Sequence, residues 1–211
     1  MMSPRLDTLM FNYSTRLQAP PLLAPTNGSF VDTNNPRFIF GEIAGAYAYR
    51  LFLSSSLDFT PETTSNHTFF EAIPEGMSIS IPEDGVYYWR MIASENYEGG
   101  EMLQLGEMSP TYMFTADSEV PDVSGNSGYQ FETDIDSPNP ACPMQINASD
   151  ANPKNYSIEI TDYGDNPVSF EYYDWNGTNV NLDFLSLLPA NLTESPAVYF
   201  YTFHFFDQAG L

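Results

Sequence analysis

The stretch that most constrains this chain is residues 85–93, Gly-Val-Tyr-Tyr-Trp-Arg-Met-Ile-Ala. In an extended strand successive side chains point to opposite faces. Tyr87, Trp89, Met91 and Ala93 therefore share one face, and Tyr88, Arg90 and Ile92 the other. A period of two argues against a helix, and a face carrying Tyr, Trp and Met needs a second layer to cover it. The run Pro82-Glu83-Asp84-Gly85 supplies the turn that delivers the chain into the strand.

The neighbouring sequence keeps the same rhythm. Leu22-Leu23-Ala24-Pro25 reads as an edge strand, with proline where it costs no ladder bond. Residues 36–40, 47–54, 68–72, 77–81 and 111–115 read as further strands, and 95–106 as a long loop. Short strands separated by turns every ~8–12 residues predict a β-sandwich. Four pieces occur in order: Ala24-Pro25-Thr26-Asn27-Gly28-Ser29, Pro36-Arg37-Phe38-Ile39-Phe40, residues 46–59, and residues 85–93. Together they resemble the fibronectin type III-like modules of microbial cell-surface proteins. The resemblance implies that Tyr49, Leu51, Tyr87 and Trp89 fill the core between the sheets, and that the module is a spacer or adhesion unit with no chemistry of its own.

A chain of 211 residues has room for a second core of similar size. Residues 118–128 read as a polar linker, and from Tyr129 the strand pattern resumes at 143–149, 156–161, 168–173, 180–185 and 197–206. Residues 182–188 are open to a helical reading. Asp174-Trp175-Asn176-Gly177 reads as a tight hairpin turn, with Asn-Gly as its signal. The run 199–210 resembles the penultimate strand of bacterial immunoglobulin-like domains, so residues 129–211 are expected to be such a domain without its last strand. The fold class expected is thus all-β. It comprises an N-terminal extension strand (1–18), a fibronectin type III-like sandwich (19–117), the linker, and a second immunoglobulin-like sandwich (129–211).

Charge narrows the function. Twenty-eight acidic residues face six basic ones, for a net charge of −22, a field that repels nucleic acid and anionic lipid. No stretch approaches the ~18–20 apolar residues of a membrane-spanning helix. The polar residues are largely Asn, Ser and Thr, which with the resemblance places the chain outside the cell or on its surface. Cys142 is the single cysteine, so no internal disulfide and no thiolate zinc site can form. His67 and His204 are the only histidines, too few parts for a histidine metal centre, and neither belongs to a recognisable catalytic constellation. The chain is not expected to be an enzyme.

Three surface features remain. Asn-x-Ser/Thr occurs at Asn12, Asn27, Asn66, Asn147, Asn155, Asn176 and Asn191, against about three expected from composition alone. These are candidate glycan attachment points. Asp117, Glu119 and Asp122 gather carboxylates that could hold a structural Ca²⁺, since hard cations take oxygen ligands from neighbouring loops. Tyr172, Tyr173 and Trp175 offer aromatic faces to a sugar, and a carbohydrate-binding or adhesion module in a longer protein is the rival function.

The ends suggest assembly. In residues 6–13, Leu9, Phe11 and Tyr13 alternate with Met10 and Asn12, and a lone strand is unstable in water. With Leu6 they are the expected donor set: this strand of one subunit completes the second domain of the next, giving a head-to-tail homopolymer. The alternative is an excerpt of a tandem array, its missing strands supplied by neighbouring domains.

Overall fold

The structure, a computed structural model, describes residues 16–72, 75–124, 143–188 and 199–210. Its elements are β1 (Leu22–Ala24), β2 (Ser29–Val31), β3 (Arg37–Phe40), β4 (Ala48–Ser54), β5 (Thr64–Phe69), β6 (Met77–Ser78), β7 (Gly85–Glu98), β8 (Glu101–Met108) and β9 (Tyr112–Ala116). There follow β10 (Asp122–Ser124), β11 (Pro143–Ser149), β12 (Pro153–Asp162), β13 (Pro167–Asp174), β14 (Val180–Asp183), α1 (Phe184–Leu187) and β15 (Tyr199–Asp207). The all-β expectation holds, with several antiparallel sheets. The described residues divide into two compact units: one lies within residues 16–29, 35–81 and 85–115, the other within residues 30–34, 82–84 and 116–210.

In the first unit β1-β3-β6 form one sheet and β9-β7-β4-β5 the other, with β8 folded back onto β7. The opening strand is central: β7 pairs with β4 from Ala48↔Ser94 to Ser54↔Tyr88. Its predicted inner face is the buried one, Trp89, Met91 and Ala93 being wholly enclosed and Tyr87 nearly so. Phe38 of β3 meets Trp89 edge-on at 5.1 Å and Phe114 of β9 at 5.8 Å, while Phe40 packs on Tyr49 at 4.9 Å. These contacts join rings from the two sheets, each worth about 0.5–1.5 kcal/mol beyond its buried area. Tyr49, Leu51, Tyr87 and Trp89 are all core residues, as the resemblance implied.

Three local expectations need correction. The predicted loop 95–106 is a hairpin, β7 running on to Glu98 and β8 returning from Glu101. Gly99 and Gly100, both at positive φ, close it, and Met102 buries against Ala48 and Ile92. The polar surface of this hairpin hid its strand pattern. The strand predicted at 68–72 is β5, which starts four residues earlier and includes His67. β2 and β10 are three-residue strands too short for a periodicity to show.

The second unit has a sheet β10-β11-β14 and a sheet β13-β12-β15. Ile146, Ala148 and Val180 of the first meet Tyr156, Ile158, Ile160 and Phe205 of the second. The predicted hairpin at Asp174-Trp175-Asn176-Gly177 is a crossover between sheets: β13 pairs with β12, whereas the following β14 pairs with β11. Burial of Trp175 forces this route. Its indole N–H donates to the Thr178 carbonyl at 2.8 Å while the ring meets Phe205 edge-on at 4.9 Å. Gly177, at φ 78°, makes the bend, and a Cβ there would stand 2.6 Å from the Asp150 carbonyl oxygen. The helical alternative within 182–188 is realised as the single turn α1.

Candidate functional site

The linker carboxylates lie in the second unit. β10 pairs with β11, Asp122 opposite Ser149, which brings the segment after Ala116 beside the loop that follows β11. Asp117, Glu119 and Asp122 thereby line one recess of about 280 Å³, together with Ser149, Asp150 and Ala151. Sequence reading missed Asp150, because only the β10–β11 pairing places it there.

Among the described residues no group of three acidic, histidine or cysteine side chains is placed to hold one metal ion. Asp117 is buried, and its Oδ2 accepts the Asn152 amide at 2.8 Å; its backbone N–H donates to the Val31 carbonyl at 2.9 Å. That carboxylate anchors the chain as it leaves β9. Asp150 Oδ1 accepts the Asn152 backbone N–H at 2.6 Å. Burial pushes the Asp150 carboxyl up, and the nearby Asp117 and Asp207 push it further, against the lowering effect of the Asn152 bond. Asp207, wholly buried, accepts the Gly210 N–H through Oδ1 at 2.6 Å. The arrangement is a hydrogen-bonded carboxylate cluster that ties loops together.

The aromatic residues named for sugar stacking separate. Trp175 is buried, and Tyr173 is half-buried against Tyr156 at 5.2 Å. The Tyr173 phenol donates to Glu171 at 2.5 Å, and that bond, with burial second, pushes its pKa up to about 12. Tyr172 alone of the three is exposed, its ring edge-on to Phe170 at 5.0 Å. Alternation on β13 explains the split: residues 170 and 172 face away from the core, 173 toward it, and Trp175 is drawn in by the crossover. A second ring group lies in the first unit, where exposed Phe70 meets exposed Tyr47 at 6.0 Å and half-buried Tyr97 at 5.0 Å.

His67 Nε2 and Ser65 Oγ are 3.1 Å apart, neighbours on one face of β5. Burial lowers the His67 pKa. His204 is exposed on β15, in register with Ser157.

Of the sequon asparagines, Asn27 and Asn176 are exposed in turns, and Asn66 and Asn147 are exposed on β5 and β11. Asn155 is half-buried in the central strand β12, between Asp174 and Phe206, and the Ser157 hydroxyl of its sequon is buried without a hydrogen-bond partner. Asn12 and Asn191, the donor residues Leu6, Leu9, Phe11 and Tyr13, and Cys142 lie outside the described residues.

No family model matches the sequence, and no curated protein matches it. Among solved structures the chain is similar to the FN1-FN3 domains of chicken CNTN1, with a TM-score of 0.43 and 16% identity over 92% of this chain. The match spans 62% of that chain's length.

Proposed function

We propose that this chain is a structural subunit of an extracellular filament or surface layer. In this reading its two units are tandem sandwiches, fibronectin type III-like and immunoglobulin-like, and the subunits are glycosylated. They join head to tail, the strand 6–13 of one adding to the second sandwich of the next. The observation that supports it is β13. Among the described residues this eight-residue strand pairs with β12 alone, and it carries Phe170 and Tyr172 exposed on its outer face. A long margin strand with exposed rings is a template for strand addition, and proteins that keep one use it or cover it. The alternating Leu9, Phe11 and Tyr13 would supply cross-strand partners for Phe170 and Tyr172, each pair contributing about 0.2–1 kcal/mol.

The test is electron microscopy and sedimentation of the full chain, of a chain lacking residues 1–18, and of Phe170→Lys/Tyr172→Lys. Polymers are expected from the first and monomers from the other two. Filaments that persist without residues 1–18 would rule strand donation out.

A second reading, a carbohydrate-binding or adhesion module of a longer surface protein, draws on the same exposed rings and on Tyr47, Phe70 and Tyr97. A glycan array separates the two: saccharide binding that Phe70→Ala or Tyr172→Ala abolishes favours adhesion.

A further inference from the structure

The sequence offers seven sequons without ranking them. The structure assigns one a special place: we infer that Asn176 is an N-glycosylation site set up by the fold itself. This rests on the extracellular reading above. Both the backbone N–H and the hydroxyl of Thr178 donate to Asn176 Oδ1, at 3.2 and 2.6 Å. In no other described sequon does the hydroxyl bond its own asparagine. Ser29 Oγ donates to the Thr26 carbonyl, Thr68 Oγ1 accepts from Arg50, and Ser157 Oγ is buried.

The chemistry explains why that bond matters. An amide nitrogen is a poor nucleophile because its lone pair is delocalised into the carbonyl. Two hydrogen bonds on Oδ1 stabilise negative charge there, which makes the Nδ2 proton easier to remove in the transition state. The donor would be a lipid-linked glycosyl diphosphate. Nδ2 bonds to the sugar C1 as the C1–O bond breaks. That electron pair leaves with the diphosphate, and the Nδ2 proton passes to a base of the transferase. Both side-chain bonds of Asn176 end on Oδ1, so Nδ2 is left for the sugar.

The platform beneath is rigid. Trp175 is buried, its indole bonded to the Thr178 carbonyl and its backbone N–H to the Lys154 carbonyl at 3.2 Å. Gly177 fits only as glycine. The turn is thus held from below by the residue before Asn176, while Asn176 and Thr178 stay exposed above. A glycan here would stand clear of the sheet, whereas one on Asn155 would crowd Asp174 and Phe206 on the central strand.

The experiment secretes the full chain from a host with N-glycosylation machinery and maps glycopeptides on wild type, Thr178→Ser, Thr178→Ala and Asn176→Gln. Native-source protein is mapped in parallel. Near-full occupancy of Asn176, retained in Thr178→Ser and lost in the other two, is expected, with occupancy of Asn155 several-fold lower. Glycans on other sequons with Asn176 bare, or Asn155 as fully occupied as Asn176, would overturn the inference. Native protein whose intact mass equals the bare chain would overturn the glycoprotein reading itself, whatever the secretion host attaches.

Discussion

The two units solve one packing problem in different ways. In the first, aromatic rings interlock between sheets: Phe38 reaches across from β3 to Trp89 on β7 and Phe114 on β9. In the second the rings run along a single sheet. Tyr173, Tyr156 and Phe205 sit in register on β13, β12 and β15, stacked at 5.2 and 5.6 Å, with Trp175 closing the row at 4.9 Å. The opposite layer there is small and aliphatic: Ile146, Ala148 and Val180. An inter-sheet ring cluster fixes how two layers face each other, whereas an aromatic row along one sheet fixes strand register. Aromatic content alone therefore does not set which geometry a core uses.

Each unit holds one of the two tryptophans, which makes the comparison measurable. The largest effect is expected from Trp89→Ala, which empties the centre of the first core and costs about 3–5 kcal/mol in denaturant unfolding followed by circular dichroism. Trp175 fluorescence in that variant reports the second core alone, and a midpoint shifted as far as the first would show that the cores do not unfold separately. Tyr156→Leu removes two stacked contacts yet keeps an apolar side chain, so about 1–2 kcal/mol is expected from the second unit, read in a Trp89→Phe background. A loss as large as that of Trp89→Ala would erase the proposed contrast.

Acid should separate the units further. Asp150 has its folded pKa raised, chiefly by burial, so the folded state favours its protonated form. Its contribution is fully present below the unfolded value, near 3.8, and is lost as pH rises through the raised folded value. Asp162 works in the opposite sense: bonds from the Asn166 side chain and backbone lower its pKa, so its contribution is present at neutral pH and lost as pH falls through the lowered value. Asp150→Asn is therefore expected to raise the stability of the second unit at neutral pH and to flatten its profile toward pH 4, as seen in Trp175 emission melts. An unchanged profile would show that Asp150 is solvated. The smallest effect belongs to Ser65→Ala, within about 0.5 kcal/mol of wild type, because the Ser65–His67 bond is an exposed one along a margin strand.

Much of the fold was legible because it rests on a local period. Residues 85–93 alternate strongly enough to assign both the strand and its buried face, residues 47–54 and 143–149 to assign the strand, and Trp89 lies where that alternation puts it. Legibility failed where exposure weakens the pattern, as in the β7–β8 hairpin, or where one buried ring overrides a turn signal, as at Trp175. The acidic recess was half legible: Asp117, Glu119 and Asp122 are close in sequence, but Asp150 joins them only through strand pairing. Asn176 was legible as a sequon. Its bond to Thr178 was not, because that depends on the crossover holding the turn open.

Side-chain alternation and residue counts are properties of the chain, so the all-β class, the inner face of residues 85–93 and the absence of any internal disulfide were readable without the fold. Tertiary structure alone decided that β14 leaves β13 to pair with β11, that Trp175 and Tyr173 point inward, and that Asp117 serves as an anchor. Each of these depends on which distant strand lies alongside, a choice made by the joint burial of residues far apart in the chain, to which no local period is sensitive.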